Sequence, residues 1–138
     1  SISQDYVPGK PFMDHYVPSL LVDGLYHADG QIDDEVYVYG SFLQSKMYAA
    51  GVTCSDCHEP HSLELRVPGN GICAQCHLPA KYDRKSHHFH EPGTEGASCA
   101  ECHKPPKNYM VVDPRLVHSL RIPRPDLSVK LGNPNACS

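Results

Sequence analysis

At 138 residues the chain is no longer than one ordinary domain, and 40% hydrophobic residues with no tryptophan leave little for a large apolar core. Its 13 prolines and 10 glycines argue against long uninterrupted helices, so the fold is expected to need staples or a cofactor. A formal net charge of −4, with both signs interspersed, provides no basic stripe for nucleic acid, and no run of 18 apolar residues is present to span a membrane.

Residues 1–50 contain no cysteine. In "VDGLYHADGQI" two Asp-Gly pairs flank a short extended piece, a hairpin-like pattern. "DDEVYVYGSFLQSKMYAAG" then predicts a helix near 34–50. Asp33 or Asp34 would cap it, Val36, Tyr39, Leu43 and Met47 recur at helical spacing, and Gly51 follows its end. Met47 reads as a packing residue rather than a metal ligand.

From residue 51 onward, turns and cysteines dominate. Six of the seven cysteines form three C-x-x-C pairs, each followed at once by histidine: "CSDCH", "CAQCH" and "CAECH". Multiplying the residue frequencies over the chain predicts about 0.03 chance occurrences of this motif, on which c-type haem is attached. A zinc ribbon would use four thiolates and leave the repeated histidine unexplained. A redox C-x-x-C belongs beside a βαβ pattern that is missing here, and disulfides require no histidine. Covalent haem explains all three positions. Two thiols add across the porphyrin vinyl groups from one short helical turn, and the next residue directs its imidazole at the iron. Cys54, Cys57, Cys73, Cys76, Cys99 and Cys102 are therefore expected to carry three haems c, with His58, His77 and His103 as proximal ligands.

Pro60, Pro79 and Pro105 stand two residues past these histidines and would end the turn. Gly51, Gly71 and Gly96 precede the motifs and either free the approaching backbone or simply punctuate a loop. Arg66, Lys81, Arg84, Lys85, Lys104, Lys107 and Arg115 lie near the motifs as partners for haem propionates or as solvated surface charge.

Of 10 histidines, the three proximal ones leave seven for distal positions. His61 follows His58 too closely to wrap round the same porphyrin, and is expected to reach a neighbouring haem. "SHHFH" offers His87, His88 and His90, which cannot all be ligands, and His118 stands alone in "RLVHSLRIPRP". His15 and His27 lie upstream of every motif, as surface residues or as ligands to a haem of a neighbouring chain. "NYMVVD" is the one good strand candidate. Cys137 in "LGNPNACS" reads as an unpaired thiol or as the start of a fourth motif, cut off.

"YAAGVTCSDCHEPHS", "NGICAQCHLPAKYD" and "NYMVVDPRLVHSLRIPRPDLSVKLGNPNAC" resemble the haem-binding region of large periplasmic multihaem cytochromes c, particularly those fused to tetratricopeptide repeats. The likeness covers most of the chain. It implies a mostly irregular fold of short helices and little sheet built around stacked covalent haems, with bis-histidine irons in closely packed pairs. The upstream haems and helical repeats of that family have no counterpart in these 138 residues.

Residues 1–50 thus form a segment free of haem motifs, and residues 51–138 a three-haem region that reads as truncated at a fourth motif. The expected function is electron transfer, as a unit of a larger multihaem assembly or filament. Its partners would be other cytochromes, other redox proteins or copies of itself. The alternative is a redox enzyme in which one open-site haem acts on a small nitrogen or sulfur compound. Covalent haem attachment places the mature chain in the periplasm or outside the cell.

Overall fold

The computed structural model describes residues 5–109 and 111–136, so Cys137 and any fourth motif it would open lie outside the described residues. The helices are short: α1 (Val38–Phe42), α2 (Lys46–Ala49), α3 (Cys54–Cys57), α4 (Gly71–Ala74), α5 (Pro79–Tyr82), α6 (Lys85–His88), α7 (Cys99–His103) and α8 (Pro125–Leu131). Single 3₁₀ turns cover Phe12–Asp14 and Glu95–Ala97. One antiparallel hairpin joins β1 (Pro106–Tyr109) to β2 (Asp113–Leu116), with Pro106 opposite Leu116 and Tyr109 opposite Asp113.

The single helix expected near 34–50 is two. Residues 34–37 stay outside it, with the Asp34 carboxylate accepting from the Glu35 N–H, and Tyr37 in extended geometry precedes α1. Ser45 makes the break. Its backbone is extended and its hydroxyl accepts from the Tyr48 N–H, so it caps α2 instead of continuing α1. The strand expected over "NYMVVD" is likewise displaced. Val111 and Val112 sit in the hairpin turn, 88% and 82% exposed, and Val111 takes a left-handed φ of 73°. Each strand of a two-stranded sheet is an edge, which lets Pro106 and Pro114 pair where β propensity disfavours them.

The core is small and lies away from the cysteine motifs. Tyr26 and Ile32 form an isolated antiparallel bridge around the 27–31 turn, in the stretch that reads as hairpin-like. They pack with Val36 and Tyr109, so the hairpin closes on the N-terminal segment. Polar contacts fasten the same junction. The Lys107 ammonium donates to the Ile32 carbonyl at 2.7 Å and sits 2.9 Å from His27 Nε2 and 3.2 Å from Asp33 Oδ1. Arg115 pairs with Glu35, and Arg121 with the carboxylate and carbonyl of Asp29. Replacing Lys107 with methionine should cost about 1–2 kcal/mol, because the Ile32 carbonyl and His27 lose their donor in a half-buried site. A fall in the urea midpoint of the purified protein, at unchanged slope, checks this.

The accessible surface is 9844 Å², against about 7,100 Å² for a folded monomer of this mass. Many large apolar side chains are exposed, among them Val17, Leu20, Leu63, Leu78, Phe89 and Ile122. No helix among the described residues is long and apolar enough to cross a membrane.

Candidate metal centres

All three C-x-x-C pairs begin on a helical turn. In the first, the His58 N–H donates to the Cys54 carbonyl at 2.8 Å, and in the second the His77 N–H donates to that of Cys73 at 2.9 Å. The third motif is α7 itself. Residues i, i+3 and i+4 share a helical face, so each turn presents two thiols and one imidazole together. Local chemistry sets these turns. Asp56 reaches back to the Thr53 N–H at 2.7 Å, which holds its carboxyl below the ordinary range. Asn70 does more: its side chain donates to the Ala97 carbonyl and the Asp83 carboxylate and accepts from the Cys99 N–H, tying the start of motif two to that of motif three.

The glycines before the motifs differ in role. Gly51 takes a φ of 87° at the end of α2. At Gly71 and Gly96 the constraint is space, since a Cβ would come within 2.6 Å of Val67 Cγ1 and 2.5 Å of His90 Nδ1 respectively.

All three motifs converge. The Cys99 thiol hydrogen-bonds that of Cys73, and burial, reinforced by this neighbour, pushes the Cys99 thiol up to about 11. Lys104, directly after motif three, interacts with Cys57, Cys73 and His118, and burial lowers its ammonium from the usual range. Burial also raises the Cys57 thiol. Both thiol shifts run opposite to the depression that activates a reactive thiol. The six described cysteines form no disulfide. Nor do three or more His, Cys, Asp or Glu side chains converge on a metal position among the described residues, as a thiolate zinc site requires.

Two histidine pairs do converge. The rings of His58 and His118 have centroids 6.4 Å apart, and those of His87 and His103 lie 6.2 Å apart with planes inclined by 15°. Two metal–nitrogen bonds of about 2 Å, with about 1.1 Å from each nitrogen to its ring centre, separate two axial imidazoles by about 6 Å. Each pair joins one motif histidine to one of the distal candidates.

Tautomers complete the fit. His58 Nδ1 lies 2.7 Å from the Leu63 carbonyl, His103 Nδ1 2.9 Å from that of Arg121, and His118 Nδ1 2.8 Å from that of Leu116. A carbonyl can only accept, so each Nδ1 carries a proton and the lone pair of the neutral ring is on Nε2, the tautomer that second-shell carbonyls impose on metal-bound histidine. Burial, with Lys104 and His58 adding to it, pushes His118 down to about 4, which keeps it neutral. Composition and spacing carry no trace of these carbonyl acceptors. Their placement depends on non-local folding: residues 57–66 turn back through the His58–Leu65 bridge, and Arg121 is held by Asp29. Asn70 stands three positions before Cys73, and nothing in that spacing marks it as a link to motif three.

The other histidines are placed differently. His61 sits exposed at the tip of the 59–64 loop, its backbone N–H held by the Glu59 carboxylate. His77 is exposed and meets Tyr82 edge-on at 5.6 Å; Tyr82 in turn meets His87 at 5.4 Å. His15 packs against Tyr6 near Phe12 and Tyr16, and the Nε2 of His27 is occupied by Lys107 and Asp33. His88 and His90 lie side by side with centroids 6.5 Å apart.

Several basic side chains already have protein partners. Lys85 pairs with Glu91, Lys107 with Asp33, Arg115 with Glu35 and Asp113, and Arg66 donates to the Ser55 carbonyl. Lys81 lies 5.0 Å above the Tyr82 ring, and Arg84 donates to the Ala80 carbonyl. Two clefts adjoin the motifs. One of about 150 Å³ lies beside Cys102 against Arg121, Ile122 and Leu127, and one of about 20 Å³ lies between Cys73, His77, Tyr82 and Cys99. Pockets that enclose even a drug-sized ligand measure about 300 Å³ or more, so a porphyrin at these cysteines would lie against an open surface.

No family model, curated protein or solved structure matches this chain.

Proposed function

We propose that the chain is an electron-transfer protein carrying three covalent c-type haems, working as a unit of a larger multihaem assembly or filament in the periplasm or outside the cell. The observation that carries it is the pairing of two motif histidines with distal imidazoles at metal-spanning distance, three of the four with Nδ1 fixed by a backbone carbonyl.

When bound, haem supplies a one-electron iron couple; the polypeptide's part is attachment, orientation and exclusion of other ligands. Cys54 with Cys57, Cys73 with Cys76, and Cys99 with Cys102 would each hold one porphyrin edge. His58 with His118 would hold the first iron, and His103 with His87 the third. The carbonyls of Leu63, Leu116 and Arg121 hold the Nδ1 side of each ring, which would leave Nε2 to face the metal and fix the ring angles. With two imidazoles holding each of them, these irons would leave no position for a substrate. Nitrogen ligands on both faces favour the ferric state and a low potential. Shallow clefts and exposed apolar side chains would leave haem edges open to a redox partner or to a second copy of the chain. His61, exposed at its loop tip, is free to serve an iron other than the one His58 binds.

One observation favours a second reading. His77 has no imidazole placed across from it among the described residues, so an open-site haem acting on a small nitrogen or sulfur compound would be the second one. A high-spin signal and carbon monoxide binding confined to one haem would establish that reading.

Intact mass of the purified chain tests the cofactor content. Three haem increments are expected, with all colour retained by the protein after acid–acetone extraction. Haem released into the extract, or zinc found by metal analysis, would overturn the proposal.

A further inference from the structure

His87, His88 and His90 stand within four positions, yet hydrogen bonding separates their roles. The backbone N–H of His90 donates to His88 Nδ1 at 3.2 Å. A ring nitrogen that accepts carries no proton, so the proton of neutral His88 is on Nε2, the reverse of His58, His103 and His118. His88 Nε2 is also buried and has no hydrogen-bond partner. A buried N–H left without an acceptor costs about 1–3 kcal/mol, and a native site normally supplies one.

The surroundings fix this arrangement. His88 closes α6, the left-handed Phe89 (φ 63°) turns the chain sharply, and the His90 ring presses on Gly96, where a side chain would clash. The turn that brings the His90 N–H onto His88 is therefore held from both sides. Next to His88 on the same helix, the His87 ring centroid lies 6.2 Å from that of the motif histidine His103, with the planes inclined by 15°.

We propose that His88 is not an iron ligand but a hydrogen-bond donor, its Nε2–H serving a carboxylate of the haem bracketed by His87 and His103. This rests on the haem reading above. The donor set suits a porphyrin carboxylate: an acceptor-only oxygen satisfies the orphaned N–H, and the nearby cation, Lys85, is already neutralised by Glu91. Donation to the propionate withdraws negative charge from the haem, so losing it should stabilise ferric iron and lower that haem's potential.

Two variants of the full haem-loaded chain separate the possibilities, His88→Gln and His88→Phe. Glutamine offers an N–H near the position of Nε2 but does not replace an imidazole on iron; phenylalanine keeps the ring volume and offers no donor. The expected result is low-spin haem throughout in both, read by electron paramagnetic resonance. One midpoint potential should fall in His88→Phe and stay near wild type in His88→Gln, with a matching shift of a propionate bending band in the resonance Raman spectrum of the phenylalanine variant. One haem turning high-spin in both variants would make His88 a ligand and overturn the inference. Unchanged potentials and Raman bands in His88→Phe would also overturn it, leaving the haem reading intact. A wild-type chain without covalent haem removes both.

Discussion

His118→Ala is expected to turn one haem high-spin while all three haems stay attached. The His118 ring lies 6.4 Å from that of His58, and its Nδ1 is committed to the Leu116 carbonyl, which leaves Nε2 as the available donor. On the proposed reading, attachment would depend on Cys54 and Cys57, on a different segment, so loss of the His118 imidazole would leave the thioethers untouched. Alanine offers no ligand, and neighbouring Lys104 carries a proton unless its ammonium titrates. His87→Ala should act in the same way on the haem that His103 binds, and the two effects should add, because the pairs share no ligand. His15→Ala is the control: that ring packs among aromatics and should leave every spin state unchanged. Electron paramagnetic resonance of the three variants decides the matter. A low-spin spectrum in His118→Ala would break the pairing of His58 with His118.

The motifs were legible because their spacing repeats three times, and each C-x-x-C pair begins on a short helical turn. The distal candidates were legible only as a pool. Which imidazole faces which depends on the closure of 57–66, on the α6 turn and on the anchoring of Arg121 to Asp29, none of which has a local signature. The helix near 34–50 failed for a local reason: apolar spacing ran on through Ser45, but its hydroxyl competes for the helix N–H groups and starts a new cap. "NYMVVD" misled because β-branched residues were weighed above the turn geometry that Val111 adopts. His27 shows the opposite case. Its position upstream of the motifs gave no hint that it would close a network with Lys107 and Asp33, contributed from 80 residues away in the case of Lys107.

Without covalent haem, the stretch from 54 to 103 should lose its fold while the junction of the N-terminal segment with the hairpin persists. The buried apolar side chains are Tyr26, Ile32, Val36, Ala97, Tyr109 and Val117, and of these only Ala97 lies within the motif region. Five helices of four or five residues span that region, far below the length at which isolated helices hold in water. Their mutual contacts run through a few polar groups, chiefly Asn70, which bonds the Ala97 carbonyl and the Cys99 N–H. On the proposed reading, such a segment would gain its cohesion from the apolar faces and six thioether bonds that three porphyrins supply. Chain produced without haem attachment, or carrying serine at all six motif cysteines, should therefore exchange its amide hydrogens over 54–103 almost as fast as an unfolded peptide, with opening free energy near zero. Amides around Ile32 and Tyr109, where the bridge, the hairpin and the Lys107 network meet, should remain protected in the same sample. Hydrogen exchange resolved by mass spectrometry reads both regions at once. Strong protection over 54–103 in the unloaded chain would mean that the polypeptide holds these turns by itself, and the structural need for a cofactor would fall.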